Sequence, residues 1–323
     1  MTFAYPGCRR CNVARSRPQV SSLPGGHNRE MHQNPVFSGV DDVRDKLAET
    51  GYLADDGIAT TVFLADRLGK PLLVEGPAGT GKTELAKAIA AATGSELIRL
   101  QCYEGLDEAR ALYEWNYKKQ LLRIQAANSS ADGSADWSAT QDDIFSEEFL
   151  LERPLLAAIR RDEPTVLLVD ETDKADVEVE GLLLEVLSDF QVTIPELGTV
   201  TATRRPIVLL TSNATRELSE ALKRRCLYLH LDYPTADREK AIVLSRVPEL
   251  PEQLAESLVR TARALRAMEL KKSPSIAESI DWAYTLLALG LDTLDEKAVS
   301  ATLGAVLKHA SDQEKAISQL KLG

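Results

Sequence analysis

The sequence has little with which to grip nucleic acid, cross a membrane or brace itself with disulfides. Its 323 residues carry 38 Lys and Arg against 49 Asp and Glu, a formal net charge of −11. A nucleic-acid surface normally shows as a basic patch or stripe, so that class of partner is disfavoured. No apolar run approaches the ~20 residues that a membrane helix needs. The strongly apolar runs, Val166–Val169 and Ile207–Leu210, have the length of buried strands. There are four cysteines. Cys8 and Cys11 form a CxxC, but no second CxxC follows at zinc-ribbon spacing. Cys102 and Cys226 sit in strand-like surroundings, where a thiol acts as a small hydrophobe. Nothing builds a disulfide scaffold, so a reducing, cytoplasmic setting is the expectation.

The charge is unevenly spread. Residues 1–30 hold five arginines and one glutamate, so the rest of the chain carries more than the whole acidic excess. This stretch lacks apolar periodicity, contains "SSLPGG" and has no apolar core of secretory length. Residues 1–32 are therefore expected to be a disordered extension. An Arg-rich transit peptide is the alternative. Patterned sequence begins a few residues after Met31, which makes Met31 the expected natural start.

What is present is a phosphate loop. Leu72–Glu75 reads as a short buried strand, followed by Gly76-Pro77-Ala78-Gly79-Thr80-Gly81-Lys82-Thr83, the P-loop pattern. Leu85, Ala86, Ile89 and Ala90 then recur at helical spacing up to Gly94. Glycines let backbone N–H groups turn inward around phosphate oxygens. The helix N-terminus adds its partial positive charge. Lys82 is placed to reach the β- and γ-phosphates of ATP, and the Thr83 hydroxyl to ligate Mg²⁺. Glu84, next in the chain, completes the candidate nucleotide-contacting set. The bland reading is a plain Gly-rich loop, and the flanking strand and helix count against it.

A second motif supplies carboxylates. In "EPTVLLVDETDKAD" a four-residue apolar run ends in Asp170-Glu171. Such a run fits a parallel strand buried on both faces, and ligands bind at the carboxyl ends of these strands. Asp170 is placed beside Mg²⁺ and Thr83, and Glu171 to polarise the attacking water as general base. An exposed acidic loop is the ordinary alternative. Between Leu97–Gln101, read as the second strand, and Asp170 the spacing is long. Residues 103–150 are therefore read as an insertion, with Trp115 and Tyr117 either facing a partner or packing locally. "RRPIVLLTSNATREL" gives another buried strand, Ile207–Leu210, ending in Thr211-Ser212-Asn213. Asn213 at its tip is placed to hydrogen-bond the attacking water or the γ-phosphate. The alternation about Pro195–Gly198 predicts a hairpin before this strand. Next, "SEALKRRCLYLHLDYP" sets Lys223, Arg224 and Arg225 before a strand at Leu227–Leu231. Cations at a helix C-terminus are mildly stabilising, which is the bland account of the trio.

Taken together, GPAGTGKT (76–83), VLLVDETD (166–173), LLTSNATREL (209–218) and EALKRRCLYL (220–229) resemble the AAA+ ATPases, and within them the MoxR family. "YEGLDEARALYEWNYKKQLLRIQ" and "SPSIAESIDWA" resemble its CoxD-like branch. The similarity spans residues 33–323. It implies an α/β fold: a parallel sheet of strand order 5-1-4-3-2 with helices on both faces over residues 33–233, then an all-α lid over 234–323. It also implies ring assembly, usually hexameric, with nucleotide between neighbouring subunits. The family carries an Arg-Phe pair after the sensor strand, and Arg225-Cys226 matches it with Cys in place of Phe. Arg225 is then the implied arginine finger, with Arg224 as runner-up. Many members place a second-sensor arginine after Ser-Pro in the lid. Here Ser275 stands there, and Lys271 and Lys272 are the nearest cations.

The function that the resemblance implies is an ATPase that remodels or matures a client, possibly a metalloenzyme such as carbon monoxide dehydrogenase, with a von Willebrand A domain partner. A metal-chelatase-type subunit, a nucleic-acid-acting AAA+ motor and a small-molecule P-loop kinase remain as alternatives. The acidic charge counts against the motor, and the lid and sensor residues against the kinase. No nucleic-acid partner and no transmembrane segment are expected.

Overall fold

The computed structural model describes residues 35–128 and 143–320. Residues 1–34, with the CxxC and the expected start at Met31, lie outside the described residues, as does most of the Ser/Ala/Asp/Gly stretch after residue 128. Two helices, α1 (Val40–Glu49) and α2 (Asp56–Leu68), precede β1 (Leu72–Glu75), α3 (Lys82–Thr93) and β2 (Glu96–Gln101). Then come α4 (Glu108–Ala111), β3 (Tyr113–Trp115), α5 (Tyr117–Asn128), β4 (Leu150–Glu152), α6 (Pro154–Arg160) and β5 (Thr165–Asp170). Next are α7 (Val177–Asp189), β6 (Gln191–Ile194), β7 (Gly198–Thr201), β8 (Ile207–Ser212), α8 (Glu220–Arg225) and β9 (Leu227–His230). Five helices follow: α9 (Ala236–Arg246), α10 (Glu252–Arg266), α11 (Ile276–Ala288), α12 (Glu296–Val306) and α13 (Ala310–Gln319).

The main sheet is parallel, in the order β2-β5-β8-β1-β9. Counting these five strands along the chain gives 5-1-4-3-2 read from the other edge, the order that the resemblance implies. β5 is buried along its whole length, as its unbroken apolar run requires of a central strand. Side chains alternate between faces, and each face has its own core. Val166, Leu168, Leu209, Leu72 and Val74 pack with α1, α2 and α3. Leu167, Val169, Val208, Leu210 and Leu73 pack with α6, α7 and the β6–β7 hairpin. Removing a buried leucine such as Leu168 to alanine typically costs about 2–5 kcal/mol. β2, at the edge, carries an exposed charge at Glu96, which helps to blunt it.

β6 and β7 pair antiparallel with Val192 opposite Val200, the hairpin the alternation predicts. Between β2 and β5, β3 and β4 form a small antiparallel ribbon. Trp115 is buried, its ring edge-on to Phe145 at 5.3 Å between centroids. Tyr117 instead projects, 66% exposed. Of the two aromatics, one packs locally and one faces outward. Cys102 and Cys226 are buried, and burial pushes both thiols up to about 12.

The last five helices have their own core around Trp282, whose indole N–H donates to Thr302 Oγ1 at 2.8 Å. A buried ion pair ties its first two helices: Arg266 donates to both oxygens of Glu239 at 2.6 Å. The sequence reading does not place α1, α2 or α13. For α13 the reason is physical. Its buried face includes Asp312, a carboxylate that accepts the Lys271 and Lys272 N–H groups at 3.1 and 3.3 Å. A polar anchor of this kind interrupts the apolar face, which is carried by Ala316, Ile317 and Leu320 at the end of the helix.

Candidate active site

The loop 76–81 joins β1 to α3 and needs glycine at two places for space. Gly76 has φ 156°, and a Cβ there meets the Leu231 carbonyl oxygen at 2.0 Å. Gly79 has φ 73°, and a Cβ there meets Ser275 Cβ at 2.2 Å. The loop is therefore sandwiched between β9's end and the start of α11. Ile276 N–H donates to the Gly79 carbonyl at 3.2 Å, a direct bond from the helical region to the loop.

A cavity of about 750 Å³ opens here. Ala78, Gly79, Thr80, Gly81, Lys82, Thr83 and Glu84 line it from the loop and α3, and Asp170, Glu171 and Asn213 from the strand ends. Gly76 and Pro77, expected to touch nucleotide, lie behind the wall. Their carbonyls instead accept Lys82 Nζ, each at 2.7 Å. Thr80 Oγ1 donates to the Pro77 carbonyl at 3.0 Å, which tightens the same turn. Lys82 is buried, and that burial pulls its pKa below the usual lysine value against the attraction of Asp173, Asp170, Glu171 and Glu75.

Thr83 Oγ1 donates to Asp170 Oδ1 at 3.1 Å, bringing together the two residues expected to hold Mg²⁺. Such sites use one or two carboxylates with phosphate oxygens and waters, not an all-protein cage, so a hydroxyl beside a carboxylate fits the ion. Thr211 and Arg99 also donate to Asp170. Glu171 takes φ 56°, ψ 47°, a left-handed conformation that costs a side-chain-bearing residue on the order of 1 kcal/mol or more. Its N–H donates to Thr211 Oγ1 at 2.9 Å, which fixes the turn. Its carboxylate accepts Gln101 Nε2 at 2.9 Å, Lys174 Nζ at 2.7 Å and Asn213 Nδ2 at 3.5 Å. Hydrogen bonding to Glu171 raises the pKa of Lys174.

Arg225 is not in this cavity. It is exposed at the end of α8, its Nε donating to Ser188 Oγ at 2.6 Å and its Nη1 to the Ala221 carbonyl at 3.3 Å. Lys223 pairs with Glu217 and Glu220 at 3.2 and 3.8 Å, the behaviour of a solvated helix end. Ser275 caps α11 in a capping box with Glu278 and sits directly on Gly79. Neither Lys271 nor Lys272 lines the cavity, and Lys272 pairs with Glu278 at 3.0 Å. The cations that α9 to α13 bring to the cavity wall, among the described residues, are Arg238 and Arg246. Arg238 is engaged by Asp55 and by the Leu53 carbonyl, and Arg246 stands 3.5 Å from Glu84.

Sequence reasoning missed Arg99, Gln101, Thr211 and Asp173. A signal existed for the first two. They lie two apart near the carboxyl end of β2, and Gln101 pairs in register with Asp170. Asp173 is buried and accepts Asn213 N–H at 3.2 Å and Thr215 N–H at 3.1 Å. It thereby holds the turn that aims Asn213. Burial pushes its pKa up, but the hydrogen bonds from Thr215 and Asn213 outweigh it and leave the pKa below the ordinary value. A lowered carboxylate pKa contributes stability above its unfolded value, and that contribution is lost as pH falls through the folded value. Thermal midpoints measured from pH 7 down to 3 are therefore expected to drop below about pH 4. Asp173→Asn is expected to lower stability at neutral pH by about 1–3 kcal/mol and to make the acid limb shallower.

Residues 71–226 match the family model described as AAA domain, dynein-related subfamily. The core has the AAA+ P-loop NTPase fold. The matched segment runs from β1 through α8, and so contains every residue of the P-loop, the Asp170-Glu171 pair, Asn213 and Arg225. An uncharacterized protein of Staphylococcus aureus is 26% identical over 269 residues, covering 79% of this chain and 91% of its own length. One of Staphylococcus haemolyticus is 24% identical over 281 residues, covering 83% and 96%. A RuvB mutant structure from Thermotoga maritima superposes with a TM-score of 0.43 at 16% identity, covering 88% of this chain and 71% of that one. The Thermotoga maritima RuvB Holliday junction branch migration motor gives 0.41 at 16% identity, with 88% and 72% covered. Among the described residues no helix is long and apolar enough to cross a membrane.

Proposed function

We propose that the chain is a Mg²⁺-dependent ATPase of the MoxR type, CoxD-like branch. It works as a ring of copies, hexameric as the resemblance implies, and remodels or matures a client protein with a von Willebrand A domain partner. One observation carries the hydrolytic part: Thr83 Oγ1 stands 3.1 Å from Asp170 Oδ1, with the Glu171 carboxylate beside them in the same cavity.

The chemistry follows from these residues. The loop's N–H groups and the first turn of α3 bind the triphosphate. Lys82, drawn off the Gly76 and Pro77 carbonyls, neutralises the γ-phosphate. A bound Mg²⁺ would offset the negative charge of the phosphates. Thr83 and Asp170 are the residues to hold it. Glu171 takes the proton from the attacking water, and Asn213 orients that water from the adjacent strand end. Tyr52, Leu53, Ile242 and Ile280 give the cavity an apolar wall suited to the adenine base. Arg225, outside its own chain's cavity, serves the neighbour's.

The client reading rests on the resemblance, and carbon monoxide dehydrogenase is its particular form. Glu171→Gln, loaded with ATP and used as bait, is the test, with captured proteins identified by mass spectrometry. Recovery of a von Willebrand A protein or a metalloenzyme subunit is expected. Single-stranded DNA bound at physiological salt, with neither protein recovered, contradicts it.

A further inference from the structure

Asp170 is a buried carboxylate ringed by donors. Its side chain is 4% exposed, and three elements donate to it: α3 through Thr83, β8 through Thr211 and β2 through Arg99. Two of these donors are neutral hydroxyls. The third is a full positive charge, with Arg99 Nη2 at 2.5 Å from Oδ2. Thr83 reaches that same oxygen at 3.3 Å. The guanidinium therefore occupies an oxygen that a divalent cation held by Thr83 and Asp170 would use.

The setting of Arg99 suits a group that comes and goes. β2 is an edge strand, and the Arg99 side chain is 50% exposed while its partner is buried. The guanidinium also donates to Gln101 Oε1, and the Gln101 amide reaches Glu171. Arg99 lines the cavity, so a guanidinium released from Asp170 stays near the phosphates. A plain surface ion pair contributes little to stability. What a cation at this oxygen changes is the charge that a second cation meets.

We propose that Arg99 is a built-in counter-ion for Asp170 that competes with the divalent cation. The metal then enters with the nucleotide's phosphates and is bound poorly alone. The inference rests on the ATP and Mg²⁺ reading above. With Arg99 in place the field of Asp170 is cancelled, and a free cation meets repulsion from Arg99 and Lys82. The triphosphate restores the balance, because its negative charge attracts the metal and also gives the displaced guanidinium a new partner.

The test uses Mn²⁺ in place of Mg²⁺ and reads its binding without nucleotide from the electron paramagnetic resonance signal. A parallel Mg²⁺ titration follows binding of a fluorescent ADP analogue. Arg99→Gln is expected to bind free Mn²⁺ at least about fivefold tighter than wild type and to need less Mg²⁺ for half-saturation. Arg99→Thr, a good strand former, is expected to do the same and carries the test if the glutamine variant misfolds. Arg99→Lys keeps the charge and is expected to stay near wild type. Asp170→Asn is expected to lose Mn²⁺. Unchanged or weaker Mn²⁺ binding in both neutral variants, with Asp170→Asn still losing the metal, overturns the role of Arg99 alone. Wild-type Mn²⁺ binding by Asp170→Asn overturns the metal reading and the Arg99 inference with it.

Discussion

Arg225→Ala is expected to bind ATP about as tightly as wild type and to turn it over about 10³-fold or more slowly, the usual worth of an arginine finger. The expectation comes from the resemblance, which implies that Arg225 is the arginine finger, and the position of Arg225 is compatible with it. Its guanidinium rests on Ser188 Oγ at 2.6 Å, on the protein surface, and it does not line its own chain's cavity. An arginine so placed acts in catalysis only on ATP held by another copy. Truncating an exposed side chain should leave stability within about 0.5 kcal/mol. A fall in turnover therefore cannot be put down to unfolding. Mixing Arg225→Ala with Lys82→Ala sharpens the test, since a site with the phosphate loop of one and the arginine of the other is intact. Partial recovery of phosphate release on mixing is expected. Wild-type turnover by Arg225→Ala alone contradicts the assignment, and Arg224, exposed beside it, is then the next residue to replace.

Glu171→Gln is expected to keep ATP affinity within a few-fold of wild type while losing about 10²–10⁴-fold in turnover, the usual worth of a general base. Glutamine keeps the size of the side chain and one oxygen, to which Gln101 and Lys174 can still donate. It removes the negative charge paired with Lys174, one acceptor oxygen and the capacity to accept a proton from water. The Glu171 backbone is left-handed and fixed through Thr211, and glutamine meets the same local cost as glutamate. The turn is therefore expected to survive the substitution. Equilibrium binding of a fluorescent ATP analogue, set beside steady-state phosphate release, separates the two effects. A variant that hydrolyses within threefold of wild type removes Glu171 from the role of base.

Much of this site was legible in the sequence because each part reports itself locally. The loop 76–83 is a contiguous pattern, and β5 is a continuous apolar run that only a twice-covered strand explains. Position 171 follows that strand, and Asn213 follows another of the same kind. Register then brings them together, with Val169 paired to Leu210. The residues that stayed hidden are those whose meaning depends on a neighbour distant in sequence. Arg99 reads as an edge-strand charge until β2 is laid against β5. Asp173 reads as one more acid in "DETDKAD" until it is found capping the turn at Asn213 and Thr215. The helices after β9 show the same contrast. α10 and α11 carry clear apolar stripes, whereas the contact of Ser275 with Gly79 joins positions about two hundred residues apart. That contact also bears on Ser275, the position where the resemblance implies a second-sensor arginine. Position 275 is filled by a small residue pressed on the phosphate loop, and the cations facing the cavity from this region sit on α9 instead.

The measurement that tests the central claim most directly is ATP binding and phosphate release in Mg²⁺ buffer by the wild type and Lys82→Ala, side by side. The wild type is expected to bind ATP and release phosphate only when Mg²⁺ is present. Lys82→Ala, folded by circular dichroism, is expected to show no productive binding and no release. Metal-independent release by the wild type, or release by Lys82→Ala at the wild-type rate, contradicts the account.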